Sequence, residues 1–219
     1  MWFPTFTGDL ICLNWPFSTS RKTNPGTVIF TGDYIDRGPQ SREIIERLIA
    51  GPSKGWKWIC LLGNHEDMLI QASQNWFKIR QWLRNGGDAT LRSYGSKTGS
   101  MLAFSIVEPA HVEWMKTLRL FHQDKHRVYV HAGVEEGVPL DQQSKHTLIW
   151  KRYRDGSAEG YDALHVVHGH DPSDDGPLLL PNRTDLDTGA YYTGRLVVGV
   201  FDDAIAGGPI DLMENVLGG

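Results

Sequence analysis

Cysteine is nearly missing from this chain: 219 residues contain two, Cys12 and Cys60. They lie far apart in apolar surroundings with no C-x-x-C spacing, which argues against a disulfide framework and a thiolate metal site and fits a reducing compartment. A dominant charge sign is missing as well. The 22 Lys and Arg against 26 Asp and Glu leave a formal net charge of −4 at pH 7, so no global field draws in nucleic acid or anionic lipid. An anionic substrate must therefore be attracted by local groups. Nowhere do eighteen apolar residues follow one another, and the apolar residues of Met1 to Phe17 are interrupted by Pro4, Asp9 and Asn14 without a basic start. This argues against a membrane-spanning helix and a secretory leader. A cytoplasmic protein with neither a membrane nor a nucleic-acid partner is expected. No internal repeat or low-complexity tract is present, and the length suits a single domain over 1–219.

What is present is a set of short apolar runs rich in Val, Ile, Phe and Tyr: Thr27 to Thr31, Trp58 to Leu62, Arg127 to Val130, Leu164 to Val167 and Arg195 to Phe201. This composition predicts buried strands. Between them, Ser41 to Ala50 carries Ile44, Ile45, Leu48 and Ile49 on one helical face. A second helix is predicted from Glu66 to Leu83, stopping at Asn85-Gly86-Gly87. The alternation gives an α/β fold.

Four of the runs end directly in polar residues: Gly32-Asp33, Gly63-Asn64-His65-Glu66, His131-Ala132-Gly133 and His168-Gly169-His170. Ligands of layered α/β proteins bind beyond the carboxyl ends of the strands, so polar groups at four such ends converge despite their separation in sequence. Asp33, Asn64, His131 and His170 offer oxygen and imidazole nitrogen but no thiolate, a donor set that suits manganese, iron or zinc. Two divalent ions about 3.5–4 Å apart, bridged by Asp33, could clamp a phosphoryl oxygen and generate hydroxide at neutral pH. His168, by contrast, reads as a core histidine. His111, His122, His126 and His146 fall outside any ligand pattern, the tryptophans read as packing residues, and Asn182 to Gly189 reads as architectural.

Gly32-Asp33-Tyr34-Ile35-Asp36-Arg37-Gly38 together with Gly63-Asn64-His65-Glu66, His131-Ala132-Gly133 and Gly169-His170 resembles the signature blocks of the phosphoprotein phosphatase family of calcineurin-like metallophosphoesterases. The likeness runs in order from about Gly8 to Phe201. It implies a four-layer α/β/β/α sandwich with two mixed β-sheets, a cap over about 75–122, and a dinuclear metal site, with Mn2+ favoured and Fe or Zn as alternatives. By position, one metal falls to Asp33, Asn64, His131 and His170 and the other to Asp9 and the bridging Asp33. His65 matches a general acid and Asp36 the carboxylate that orients it. Arg37 matches a phosphate-binding arginine, Arg152 resembles a second, and Asn64 also faces the substrate. The implied mechanism is direct attack of metal-bound hydroxide with no phosphoenzyme.

The first block departs from the family pattern. Where Gly-Asp-x-His-Gly-Cys-Leu is expected, the chain reads Gly8-Asp9-Leu10-Ile11-Cys12-Leu13, so about 7–15 is degenerate and lacks its histidine. The block is either genuinely divergent, or altered by a fault in the sequence, or complemented by another residue, for which Asp171, beside His170, is a candidate. A weak or empty first metal site and reduced activity are expected. The resemblance implies a serine/threonine protein phosphatase acting on a phosphorylated protein or peptide. The alternatives are a symmetrical dinucleoside polyphosphate (diadenosine tetraphosphate) hydrolase and, of another class, a catalytically impaired phosphate-binding protein.

Overall fold

The computed structural model describes residues 2–4, 26–154, 156–157 and 159–216. Asp9 and the rest of the first block lie outside the described residues. Strands β1 (Trp2–Pro4), β2 (Thr27–Phe30), β3 (Lys57–Cys60), β9 (Arg195–Val200) and β10 (Asp211–Val216) form one sheet in the order β10-β9-β1-β2-β3. Strands β4 (Phe121–Gln123), β5 (Arg127–Val130), β6 (His165–His168), β7 (Leu178–Leu179) and β8 (Arg183–Asp185) form the other in the order β4-β5-β6-β8-β7. Both sheets are mixed. In the first, β1, β2 and β3 run parallel while β9 pairs antiparallel with β1 and β10. In the second, β5, β6 and β8 are parallel between antiparallel edges.

Side-chain alternation sorts these strands into layers. In β2, Val28 and Phe30 face the helices α1 (Ser41–Ala50), α2 (Asn64–Gln74), α3 (Trp76–Trp82), α4 (Asp88–Ser93) and α5 (Pro109–Lys116). Ile29 points the other way, into a cluster with Ile59 and Leu61 from the first sheet side and Tyr129 and Val167 from the second. In β5 and β6, Val128, Val130 and Val166 pack on α6 (Lys145–Trp150) through Leu148 and Ile149. Three apolar interfaces therefore separate four layers, and burial on both faces explains why the strands read as continuous apolar runs. Residues 75–122 contribute α3, α4 and α5 to the same cluster as α1 and α2.

The predicted helix from Glu66 to Leu83 is instead two helices. Asn75 adopts an extended conformation (φ −143°, ψ 109°), and its side-chain oxygen accepts from the Phe77 N–H at 3.1 Å, ending α2 and capping α3. The predicted stop at Asn85-Gly86-Gly87 does interrupt the helical path, because Gly86 is non-helical and kinks the chain between α3 and α4. A π-helical turn, Leu83–Gly87, carries the chain into α4. Gly86 has φ 103° there, and a Cβ would sit 2.7 Å from Arg37 Cγ, so glycine is required where the two loops touch. The tryptophans divide: Trp82 is fully buried, whereas Trp76 is half exposed. Among the described residues no helix is long and apolar enough to cross a membrane.

Candidate metal centre and active-site cleft

The loop after β2 follows an unusual path. Gly32, Asp33, Asp36 and Arg37 all have positive φ (106°, 60°, 75° and 61°), a conformation that costs non-glycine residues about 1–3 kcal/mol each and persists only where surroundings enforce it. Glu66 is one enforcer. Its buried carboxylate accepts N–H bonds from Asp33 (2.9 Å), Tyr34 (2.7 Å), Ile35 (3.3 Å) and Gly63 (3.0 Å), tying the β2 and β3 loops together. Burial pushes the Glu66 carboxyl up to about 8, helped by the Asp33 charge and opposed by His65 and the backbone donors. Tyr34 Oη adds a bond to the Leu61 carbonyl at 2.7 Å.

Three of the loops, with that of β6, bring Asp33, Asn64, His131 and His170 together. His131 Nδ1 lies 2.8 Å from the Thr31 carbonyl. A carbonyl only accepts, so Nδ1 carries the proton and Nε2 presents a lone pair. That lone pair faces Asn64 Oδ1 at 2.9 Å, His170 Nδ1 at 3.2 Å and Asp33 Oδ1 at 3.4 Å. Ligand atoms of Asp33, His131 and His170 lie within 4.8 Å of one another. Electron-pair donors converging in this way, with carboxylate, amide and imidazole character, fit a divalent cation of the first transition row. Burial raises the Asp33 carboxyl, but the imidazoles of His131, His65 and His170 outweigh it and hold it below the ordinary range. Burial, reinforced by His131, pushes His170 down to about 3 and keeps it a neutral donor.

Beside this cluster sits a second arrangement that is complete in itself. His65 Nδ1 bonds Asp36 Oδ2 at 2.7 Å, with both side chains almost wholly buried. Asp36 also accepts from Trp82 Nε1 (3.0 Å to each oxygen) and from Thr90 Oγ1 (2.6 Å). These partners fix the carboxylate, which fixes the imidazole and leaves Nε2 free to act. Burial lowers the His65 pKa, but Asp33 and Asp36 more than offset it and raise it to about 9. Burial raises Asp36 itself, against the pull of its hydrogen bonds.

Both arrangements open on a cleft of about 210 Å³ lined by Asp33, Asn64 and His65, by Arg37 and Arg152, and by Asn85, Trp150, His170, Pro172, Asp187 and Tyr191. Arg152 Nη1 pairs with Asp171 Oδ1 at 3.1 Å, so the carboxylate considered as a replacement ligand is occupied by an arginine. His168 behaves as the core histidine expected: burial pushes it down to about 3, and its Nδ1 bonds the Gly169 carbonyl at 2.9 Å. Burial pushes the Cys60 thiol up to about 12, which leaves no thiolate nucleophile there. A second His/Glu group, Glu46, Glu108 and His111, is filled by the Arg42 guanidinium, 2.9 Å from Glu46 and 2.7 Å from Glu108.

Sequence reasoning missed several participants. Glu66 stands inside a quoted motif, yet nothing local marks it as an acceptor for another loop. Trp82 and Thr90 reach Asp36 across 46 and 54 residues. Asp187, in the stretch read as architectural, lines the cleft, as does Tyr191.

Comparison with known proteins places this geometry. An asymmetrical bis(5'-nucleosyl)-tetraphosphatase of Anoxybacillus flavithermus is 26% identical over 201 residues, covering 83% of this chain and 78% of that protein. The crystal structure of a putative diadenosine tetraphosphatase superimposes with a TM-score of 0.59 at 20% identity, covering 98% of this chain and 92% of that one. A protein serine/threonine phosphatase from Saccharomyces cerevisiae gives 0.58 at 16% identity, covering 98% and 78%. At such identities the structures share the fold. The family pattern of the calcineurin-like phosphoesterases matches residues 12–201, a span that includes Asp33, Asn64, His131 and His170 with the loops that bear them, and on that match the chain belongs to the calcineurin-like phosphoesterase family.

Proposed function

We propose that this phosphoesterase hydrolyses the phosphoric anhydride of dinucleoside polyphosphates. The observation that carries the reading is the cleft lining: the aromatic side chains of Trp150 and Tyr191 stand with Arg37 and Arg152 around the converging donors. A polyphosphate needs cations, and a nucleoside offers a flat base for aromatic contact. Asp33, Asn64, His131 and His170 are the residues that would hold a divalent metal, Mn2+ in the first instance, which supplies Lewis acidity and lowers the pKa of water.

The chain's own groups do the rest. The guanidinium of Arg37, and that of Arg152 once released from Asp171, grip phosphoryl oxygens and balance the charge that grows on them. His65 Nε2 delivers a proton to the departing oxygen, and Asp36, by holding Nδ1–H, keeps the ring oriented and charged. Gly63 permits the close approach of this loop, since a Cβ there would lie 2.3 Å from Asp33 Oδ1.

The test is turnover of diadenosine tetraphosphate with Mn2+, with products separated by anion exchange. Two ADP indicate a symmetrical cut and ATP with AMP an asymmetrical one. A phosphoserine or phosphothreonine peptide would use the same groups, and the yeast phosphatase shares the fold, so the peptide is assayed alongside. Preference for the peptide overturns the reading. Substrate binding with no turnover at millimolar Mn2+ would favour an impaired phosphate-binding protein, consistent with the degenerate block around Asp9.

A further inference from the structure

The two arginines of the cleft are held in different ways. Arg152 is 65% exposed and paired with Asp171. Among the described residues, Arg37 makes no ion pair. Its guanidinium instead lies over the ring of Tyr191, 4.7 Å from the centroid. Its backbone is fixed as well: φ is 61°, and its N–H bonds the Gly86 carbonyl at 3.1 Å. Tyr191 is itself braced. It follows Gly189, whose φ of 63° turns the chain into α7 (Ala190–Thr193). Its ring meets Tyr192 edge to face at 4.8 Å, and Tyr192 Oη donates to Asp174 Oδ1 at 2.8 Å.

We propose that Tyr191 is a positioning residue for phosphate recognition: its ring holds the Arg37 guanidinium in the cleft with its donors unspent among the described residues, so that Arg37, rather than the ion-paired Arg152, sets the ground-state affinity for a phosphoryl group. The inference rests on the reading that the cleft binds a phosphoryl group, but not on which ester or anhydride is cut. An aromatic face orients a planar guanidinium without consuming its N–H donors. A carboxylate partner consumes them and has to be displaced.

The experiment is a double-mutant cycle read on kcat and KM for p-nitrophenyl phosphate and on calorimetric Kd for inorganic phosphate, both with Mn2+. Tyr191→Leu is expected to raise KM and the phosphate Kd about threefold to tenfold, the scale of a cation–π contact. Tyr191→Phe, which keeps the ring, should restore most of that loss. In an Arg37→Ala background, Tyr191→Leu should add less than about twofold, because its effect passes through Arg37. An equal loss in both backgrounds, or Phe as harmful as Leu, overturns the proposal. Tyr191 is 40% exposed, and Tyr191→Ala repeats the cycle where the leucine variant folds poorly. Absence of all turnover would sink the hydrolase reading alone, since the phosphate Kd still reports the Tyr191 effect.

Discussion

His65 and the histidines of β6 and the loop after it are buried to much the same degree, yet their proton affinities move in opposite directions. His65, held between Asp33 and Asp36, is raised to about 9. His165, His168 and His170 are pushed down to about 4, 3 and 3 by burial. Asp185 stands 3.8 Å from His168, but burial and Asp187 raise its own carboxyl well above the ordinary range, so it offers little counter-charge. Burial by itself expels a proton, and an ionised carboxylate in contact retains it. At the cleft, His65 thus retains a proton while His170 presents a lone pair.

The largest test of that division is to remove one member from each side. His65→Gln is expected to lower kcat by about 10²- to 10⁴-fold, the range for loss of a general acid, while the rise in Tm on adding Mn2+ is kept. His131→Ala should weaken metal binding by at least about 10- to 100-fold, so both the turnover and the Mn2+-induced rise in Tm disappear. Scanning fluorimetry with and without Mn2+, beside a steady-state assay, reads both. Loss of the metal-induced shift in His65→Gln would merge the two sides into one.

A smaller test concerns acid stability, measured in EDTA so that metal binding plays no part. His165 Nε2 bonds Thr184 Oγ1 at 2.9 Å, and burial outweighs the backbone contact at Pro181 that favours the charged ring. With a folded pKa of about 4 and an unfolded value of about 6.5, the unfolded chain takes up a proton that the folded chain refuses. Stability is therefore unaffected above the unfolded pKa and falls as pH drops from about 6.5 toward 4, by at most about 3 kcal/mol. Urea melts at several pH values should show a shallower fall in His165→Asn. An unchanged slope would mean that burial there does not expel the proton.

Much of this contrast was legible in the sequence where the information was local. The apolar runs ending in Asp, Asn or His marked four strands of the two sheets, and the place of Asp33, Asn64, His131 and His170 at or just beyond the ends of those runs marked them as converging donors before any geometry was known. What stayed hidden was long-range. Strands as short as β7, two residues over Leu178–Leu179, leave no periodic trace. Asn75 breaks a helix by capping the next one, a choice invisible to an apolar count. The setting of Asp36 depends on Trp82, which read as a packing residue, and on Thr90, which fell beyond the predicted helix, and Tyr191 matters only because Arg37 lies against it.

The finest test separates orientation from charge on the His65 side. Thr90 is fully buried, and its hydroxyl donates to Asp36 Oδ1 at 2.6 Å while accepting the Asp36 N–H at 2.8 Å. Thr90→Val keeps the shape and removes both bonds. The cost in stability should be about 1.5–3 kcal/mol, the scale of a hydrogen bond to a charged group, since the Asp36 N–H keeps the Ser41 hydroxyl at 3.2 Å, and a urea melt measures it. Asp36 retains His65 and Trp82 as partners, so kcat should fall by less than about tenfold, far below the His65→Gln loss. If the valine variant lost as much turnover as His65→Gln, the hydroxyl would be setting the charge of the pair as well as its orientation, and the carboxylate contact alone would not account for the raised His65.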